Sequence, residues 1–475
     1  MERSHTPLPR ALGPEEGGSV RIVELGHVRK KPHASRSSRG PILPDEGGGM
    51  GPSGEVMERQ RRSSRVGAPR GVFRALLTVA CVLGGPRVEG QERVPLPPPF
   101  WLPAFTAPMH PSASGARAAE LAGPSFRAQT VRMFVRPTLA GPRLRLVLSN
   151  QYGTQPLRLE AVRVALRVSG ITIDPATVRE VRFAGAASVS IPPGRTAVSE
   201  AVELAVDGQR DVAVSLYFLE RSGAVTWHLQ GANSTYVSAS GDHTAARTFE
   251  SALTTRSLYF LTALHVDAAH DASLVATFGD SITDGAGSTV DTGRSWPARL
   301  AQRLAARGGK PVGVLNAGLS GNRLLKDDYG PKGSQRFERD VLAQRGVKAV
   351  ILLEGINDIG RSGPASGAVT AAQIIQGYEQ LIQRARAKGL KVYGGTLTPM
   401  QGHPYFTPEH EALREAVNQW IRGAGGFDAV IDFEAAVRDP ANPDAIRKEL
   451  TVEGLHPNDA GAERMANAID LRLWE

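Results

Sequence analysis

The hydrophobic pattern changes period near residue 270, and one kind of layer cannot accommodate both halves. Upstream, the runs QTVRMFVRP (129–137), RLRLVLSN (143–150), LRLEAVRVALRV (157–168), TVREVRFAG (177–185), ASVSIPP (187–193) and DVAVSLYFLE (211–220) alternate apolar with polar residues. A period of two puts one face of a strand in a core and the other in water. Ala140-Gly141-Pro142, Asn150-Gln151-Tyr152-Gly153 and Pro192-Pro193-Gly194 punctuate the runs as turns. Seven or so short strands at this spacing predict an all-β sandwich or jelly roll over residues 95–267, ending with SLYFLTALHVDA.

Downstream, SLVATF (273–278), KPVGVLNAG (310–318), VKAVILLEG (347–355), LKVYGGTLT (390–398) and AVIDF (429–433) are unbroken apolar runs rich in β-branched residues, as in parallel strands covered on both faces. Between them SWPARLAQRLAARG, TAAQIIQGYEQLIQRARAKG and PEHEALREAVNQWIRGAGG have helical period, the last two closing on glycine. Residues 268–475 are therefore expected to form a three-layer α/β domain with a parallel sheet, whose ligands sit beyond the carboxyl ends of the strands.

The formal net charge of +9 raises nucleic acid as a partner until it is located along the chain. Residues 1–90 carry 15 Lys/Arg against 9 Asp/Glu, and the remaining 385 carry 41 against 38. A near-neutral body argues against backbone binding to nucleic acid or an acidic membrane. Residues 1–56, rich in Gly, Pro, Ser and Arg, are expected to be disordered or an over-extended reading frame. From Met57 an Arg-rich start, the apolar run Ala75–Leu83 and then small residues have the order of a secretory signal, with residues 57–94 serving as signal and linker. The run is too short to span a bilayer. A secreted or periplasmic protein is expected. The sole cysteine, Cys81, lies in a poor match to a lipoprotein box, Thr78 standing three places before it, so free secretion is favoured over an anchor.

Chemistry is concentrated at the strand ends. Gly279-Asp280-Ser281 follows the first parallel strand, and Asn316-Ala317-Gly318-Leu319-Ser320-Gly321-Asn322 ends the second. Glu354-Gly355-Ile356-Asn357-Asp358 follows the third, and Glu453-Gly454-Leu455-His456-Pro457-Asn458 precedes the last helix. A lone serine in a strand-to-helix turn is more often a cap than a nucleophile. A hydroxyl, a backbone amide beside glycine, a side-chain amide and an imidazole converging on one edge are the equipment of acyl transfer.

These four ordered blocks resemble those of the GDSL (SGNH) hydrolase superfamily over residues 274–470, and the β region looks like one carried by a subset of its bacterial members. The resemblance implies a three-layer, flavodoxin-like hydrolase domain with Ser281 as nucleophile and His456 as base. It also implies an oxyanion hole from the N–H groups of Ser281 and Gly321 and the side chain of Asn357. The family usually places Asp three residues before the histidine; here that position is Glu453, expected to orient the imidazole. Asp280, Asp284, Asp358 and Asp432 are expected to be structural, through turn and cap bonds.

No cofactor and no metal are expected, because His403 with His410 and His265 with His270 lack ligand-like spacing. The segment HPYFTPEH (403–410) is expected to wall the pocket. Trp101, Trp227 and Tyr236 either stack on a sugar or belong to the core or a domain interface. The expected activity is that of a serine esterase on short-chain acyl esters, including O-acetyl groups of a polysaccharide. The alternatives are a lipase or lysophospholipase, which would want a wide apolar rim, and a non-catalytic glycan-binding surface protein.

Overall fold

The change of period appears in three dimensions as a change from antiparallel to parallel pairing. The computed structural model describes residues 98–112, 122–364 and 367–475; the expectations for residues 1–94, the signal and Cys81 among them, lie outside these. The last strand of the upstream antiparallel sheets is Leu261–Asp267 and the first parallel strand is Ser273–Gly279; downstream, a short antiparallel pair, Arg438–Asp439 with Asn442–Ile446, stands apart from the parallel sheet.

In the upstream part, one sheet runs Trp101–Thr106, Leu261–Asp267, Leu144–Ser149, Thr196–Val198. A larger one is built on Thr235–Ser238, Gln129–Val135, Val212–Phe218 and Ala161–Ser169. The alternation does its expected work in Leu144–Ser149, where Leu144, Leu146 and Leu148 are buried and Arg145 and Val147 are not. Gln129–Val135 differs, being buried on both faces. The reason is Arg132, whose guanidinium donates to the carbonyls of Ile171 (3.1 Å), His243 (3.0 Å) and Ala246 (2.7 Å) and draws a loop over the outer face.

The downstream sheet has the order Val312–Gly318, Ser273–Gly279, Val347–Leu353, Lys391–Gly395, Ala429–Ile431, all parallel. Counted along the chain this is 2-1-3-4-5, so connections leave the first strand toward opposite edges and open a crevice at its carboxyl end. Helix Trp296–Arg307 packs with Asp459–Asn467, and Ala371–Ala387 with Pro408–Gly423. Their starts are encoded locally: Thr370 and Gln373 form a reciprocal capping box, and Thr407 Oγ1 accepts from His410 N at 3.1 Å ahead of Pro408.

The two parts share one hydrophobic core, and the described residues, from 98 onward, fall in a single compact unit. Strand Trp101–Thr106 lies against Val312–Gly318, the edge strand of the parallel sheet. Thr138 Oγ1 donates to Val314 O at 3.0 Å and accepts from Val314 N at 3.1 Å. Covering an edge in this way removes a row of backbone groups that would otherwise invite pairing with another chain.

Candidate active site

Ser281 begins a four-residue helix, Ser281–Asp284, directly beyond the first parallel strand. The turn requires glycine at 279, because a Cβ there would lie 2.2 Å from Leu353 O and 2.3 Å from Thr283 Oγ1. Asp280 caps the helix through Ile282 N at 2.9 Å. Burial pushes the Asp280 carboxyl up to about 7 against that N–H and the nearby charges of His456 and Arg336. Its role is structural, as the sequence suggested.

Ser281 Oγ lies 2.8 Å from His456 Nε2, and the Glu453 carboxylate accepts from His456 Nδ1. An ionised carboxylate only accepts, so Nδ1 must carry the proton and Nε2 presents its lone pair to the serine hydroxyl. Burial raises the Glu453 carboxyl, but the hydrogen bond and charge of His456 outweigh it and hold it below its ordinary range. The extra methylene of glutamate is absorbed by a tight turn: Gly454 has φ +90°, its N–H donates to Thr451 Oγ1 at 3.0 Å, and that hydroxyl donates to His456 O at 2.9 Å.

The other two blocks converge on the same edge. Gly321 has φ +75°, and a Cβ there would meet the Tyr329 ring at 2.6 Å, so the ring and the left-handed turn both demand glycine. Among the described residues, no backbone hydrogen bond engages the N–H of Ser281 or of Gly321. Asn357, on helix Ile356–Gly360 beyond the third strand, donates from Nδ2 to Asn322 O at 3.0 Å. Two backbone donors and one side-chain amide, carried beyond the ends of the first three parallel strands, are the donor types that a tetrahedral oxyanion requires.

Beneath the site lies one supporting residue, Arg336, that carried no signal in the sequence. Arg336 is fully buried and donates to Gly279 O (2.7 Å), Ala317 O (2.8 Å) and Asn322 Oδ1 (2.6 Å), with Glu354 and Asp340 at 3.3 Å. One cation thus ties together the ends of the first three strands. Glu354 is pushed well up by burial and by the charge of Asp280, with Arg336 opposing. Asp358 accepts from Leu324 N at 2.6 Å and Leu325 N at 3.1 Å, fixing the loop after Gly321; burial pushes it up against those bonds. Asp432 caps helix Phe433–Val437 through Ala435 N at 3.0 Å.

Asp284 is structural, but not through a turn or cap. Its carboxylate accepts from Ser320 N (3.1 Å) and Ser320 Oγ (2.7 Å), next to Gly321, and faces His228 Nε2 at 3.0 Å. His228 Nδ1 faces Pro108 O at 2.9 Å and Nε2 also faces Gln230 O at 3.0 Å. Every partner is acceptor-only, so both nitrogens donate and the ring is an imidazolium. Burial lowers its pKa, but the charge and hydrogen bonds of Asp284 and the two carbonyls more than reverse this, leaving it raised. The β region thereby reaches the loop that carries Gly321.

The segment after the fourth strand lies against the site. His403 is 6.4 Å from His456 ring to ring and 4.6 Å from Tyr405, whose hydroxyl donates to Asn357 Oδ1 at 3.0 Å. His410 faces two backbone carbonyls and His265 faces Arg145. Among the described residues one trio, Glu411, Glu415 and Asp444, gathers ligand-type atoms, and Glu411 there is held by Arg414. Of the three candidate sugar-stacking aromatics, Trp227 is 4% exposed and stacks on Tyr259 at 6.1 Å, which makes it a core residue. Trp101 lies under Arg145, and Tyr236 packs edge-on to Phe134.

A hydroxyl, an imidazole and a carboxylate in line, at the switch point of a parallel sheet, define the class of serine hydrolases. Residues 277–464 match the GDSL-like lipase/acylhydrolase family. This part of the chain belongs to that family, and the protein is a hydrolase. Solved structures similar to it include a lipase/acylhydrolase from Enterococcus faecalis, 23% identical, covering 41% of this chain and 92% of that one at a TM-score of 0.34. A member of the lipolytic protein G-D-S-L family from Veillonella parvula DSM 2008 is 22% identical, covering 41% and 95% at 0.32. The acetyl xylan esterase AlAXEase is 22% identical, covering 42% and 100% at 0.33. No curated protein matches the chain.

Proposed function

We propose that the protein is a serine esterase that cleaves short-chain acyl esters through an acyl-enzyme, with O-acetyl groups of carbohydrates as the natural substrate class. The observation that carries this reading is the 2.8 Å approach of Ser281 Oγ to His456 Nε2, with Glu453 on the far nitrogen. His456 takes the serine proton as Oγ attacks the carbonyl carbon; the resulting oxyanion is held by the N–H groups of Ser281 and Gly321 and by Asn357 Nδ2. His456 then returns the proton to the departing alkoxide, leaving an acyl group on Ser281, and a water activated by the same nitrogen releases the acid.

The short acyl preference is supported by what flanks the donors. Tyr329, His403 and Tyr405 crowd Gly321, His456 and Asn357 with rings that carry polar tips. Rings with polar edges suit a hydroxylated alcohol better than a lipid tail. The test is hydrolysis of p-nitrophenyl acetate, butyrate and palmitate: the expected order places acetate and butyrate well above palmitate. A preference for palmitate would replace this reading with that of a lipase.

Export is part of the same proposal, resting on the residue pattern from Met57 to Gly90. Among the described residues no helix is long and apolar enough to cross a membrane. N-terminal sequencing of the protein from culture supernatant or periplasm should start beyond Leu83; a mature chain beginning at Met1 would contradict it.

A further inference from the structure

The amide of Asn357 is held from both sides, and only one side belongs to the family's blocks. Asn322 O is an acceptor only, so Nδ2 must face it and Oδ1 must face the Tyr405 hydroxyl. That hydroxyl in turn accepts from Arg361 Nε at 2.8 Å, and Arg361 Nη1 donates to Asp328 Oδ2 at 2.5 Å. A guanidinium thus feeds a phenol, and the phenol feeds an amide oxygen. Donation to Oδ1 draws amide density away from nitrogen, which makes the remaining Nδ2–H a stronger donor and fixes its direction; hydrogen bonds in series reinforce one another in this way.

The approach is built into the backbone. Tyr405 lies on Gly360, the last residue of the helix that carries Asn357, where a Cβ would come 2.0 Å from Tyr405 Cδ2. Any side chain at 360 would push the ring off the amide. The Arg361 guanidinium also stacks over the Tyr329 ring at 4.8 Å, and Tyr329 is the ring that closes on Gly321. The network therefore touches the elements of two oxyanion donors without touching Ser281 or His456.

We infer that Tyr405 is a positioning residue for the oxyanion hole, setting the orientation and donor strength of Asn357 through its hydroxyl. This rests on the esterase reading above. Chemistry supports a role in the transition state more than in binding, because the amide is asked to meet charge that develops only as the tetrahedral species forms.

The experiment is a double-mutant cycle on p-nitrophenyl acetate with the full chain, comparing wild type, Tyr405→Phe, Asn357→Ala and the double variant. Tyr405→Phe removes one oxygen and should lower kcat about 3- to 30-fold, the loss of one hydrogen bond, with KM within about twofold. Asn357→Ala should cost about 100- to 1000-fold. The decisive expectation is that Tyr405→Phe adds nothing once Asn357 is alanine, whereas a merely structural tyrosine would cost the same factor in both backgrounds. Additive losses would overturn the inference and leave the esterase reading intact. An unchanged rate in Asn357→Ala alone would overturn the oxyanion assignment and the inference with it. Gly360→Ala serves as a second probe and should lower kcat at least as far as Tyr405→Phe.

Discussion

Replacing Glu453 tests the residue at which this chain departs from its family. The side chains of His456 and Glu453 are 24% and 38% exposed, so the pair is neither buried nor fully hydrated. At a charge separation of about 4 Å, attraction to the imidazolium formed on serine deprotonation is about 1 kcal/mol in bulk water and about 4 kcal/mol at the effective dielectric of a protein surface. Glu453→Gln removes that charge and should lower kcat by about fivefold to about a thousandfold, with KM little changed. Glu453→Asp retains the charge but draws it back by about one C–C bond, roughly 1.5 Å. Because the loop has already closed the glutamate onto Nδ1, aspartate should lose activity here, by about three- to tenfold, the scale of one weakened hydrogen bond. Steady-state kinetics on p-nitrophenyl acetate measure all three. A Glu453→Gln enzyme within twofold of wild type would refute the argument and leave His456 oriented by something other than this carboxylate.

Two further perturbations probe the scaffold beneath the site. Arg336→Met leaves Glu354, Asp340 and two strand-end carbonyls without their cation and should destabilise the fold by about 3–5 kcal/mol, seen as a lowered urea midpoint; an unchanged midpoint would show that the hub is dispensable. His228→Gln should lower Tm and kcat together, since Asp284 then holds Ser320 with an unbalanced charge. The pH dependence has a definite sign. His228 has its folded pKa raised above the ordinary value of about 6.5, so its contribution is fully present below that value and is lost as pH rises through the folded pKa. The Tm difference between wild type and His228→Gln should therefore be largest near pH 6 and shrink at alkaline pH; a gap that widened upward would contradict an imidazolium.

The fold class was legible because hydrophobic period reports the layer a strand sits in. Val347–Leu353 is buried almost throughout and reads as an unbroken apolar run, whereas Leu144–Ser149 shows alternation in both sequence and burial. Short ladders were less visible. Among the described residues the antiparallel part holds sixteen strands against an expectation of about seven, because pieces such as Leu157–Leu159 and Val189–Ile191 are too short to show a period and form only where a partner exists.

The site divides along the same line. Ser281, Gly321, Asn357 and His456 stood out because each follows a strand or precedes a helix in a recognisable block. Arg336, Tyr405 and His228 did not. Their meaning comes from partners 18 to 57 residues distant along the chain: Glu354 and Gly279 for Arg336, Asn357 for Tyr405, Asp284 for His228. An arginine in a short helix and a histidine in a strand carry no local mark of burial. The sugar-stacking possibility for Trp227 failed for the same reason, since an aromatic in an alternating strand looks alike whether it faces a ligand or a core.

The most direct measurement is the mass of the enzyme after reaction with a fluorophosphonate, followed by peptide mapping. One adduct is expected, on Ser281, formed slowly or not at all in His456→Ala and abolished in Ser281→Ala together with esterase activity. An adduct on another residue, or p-nitrophenyl acetate hydrolysis that survives in Ser281→Ala, would contradict it.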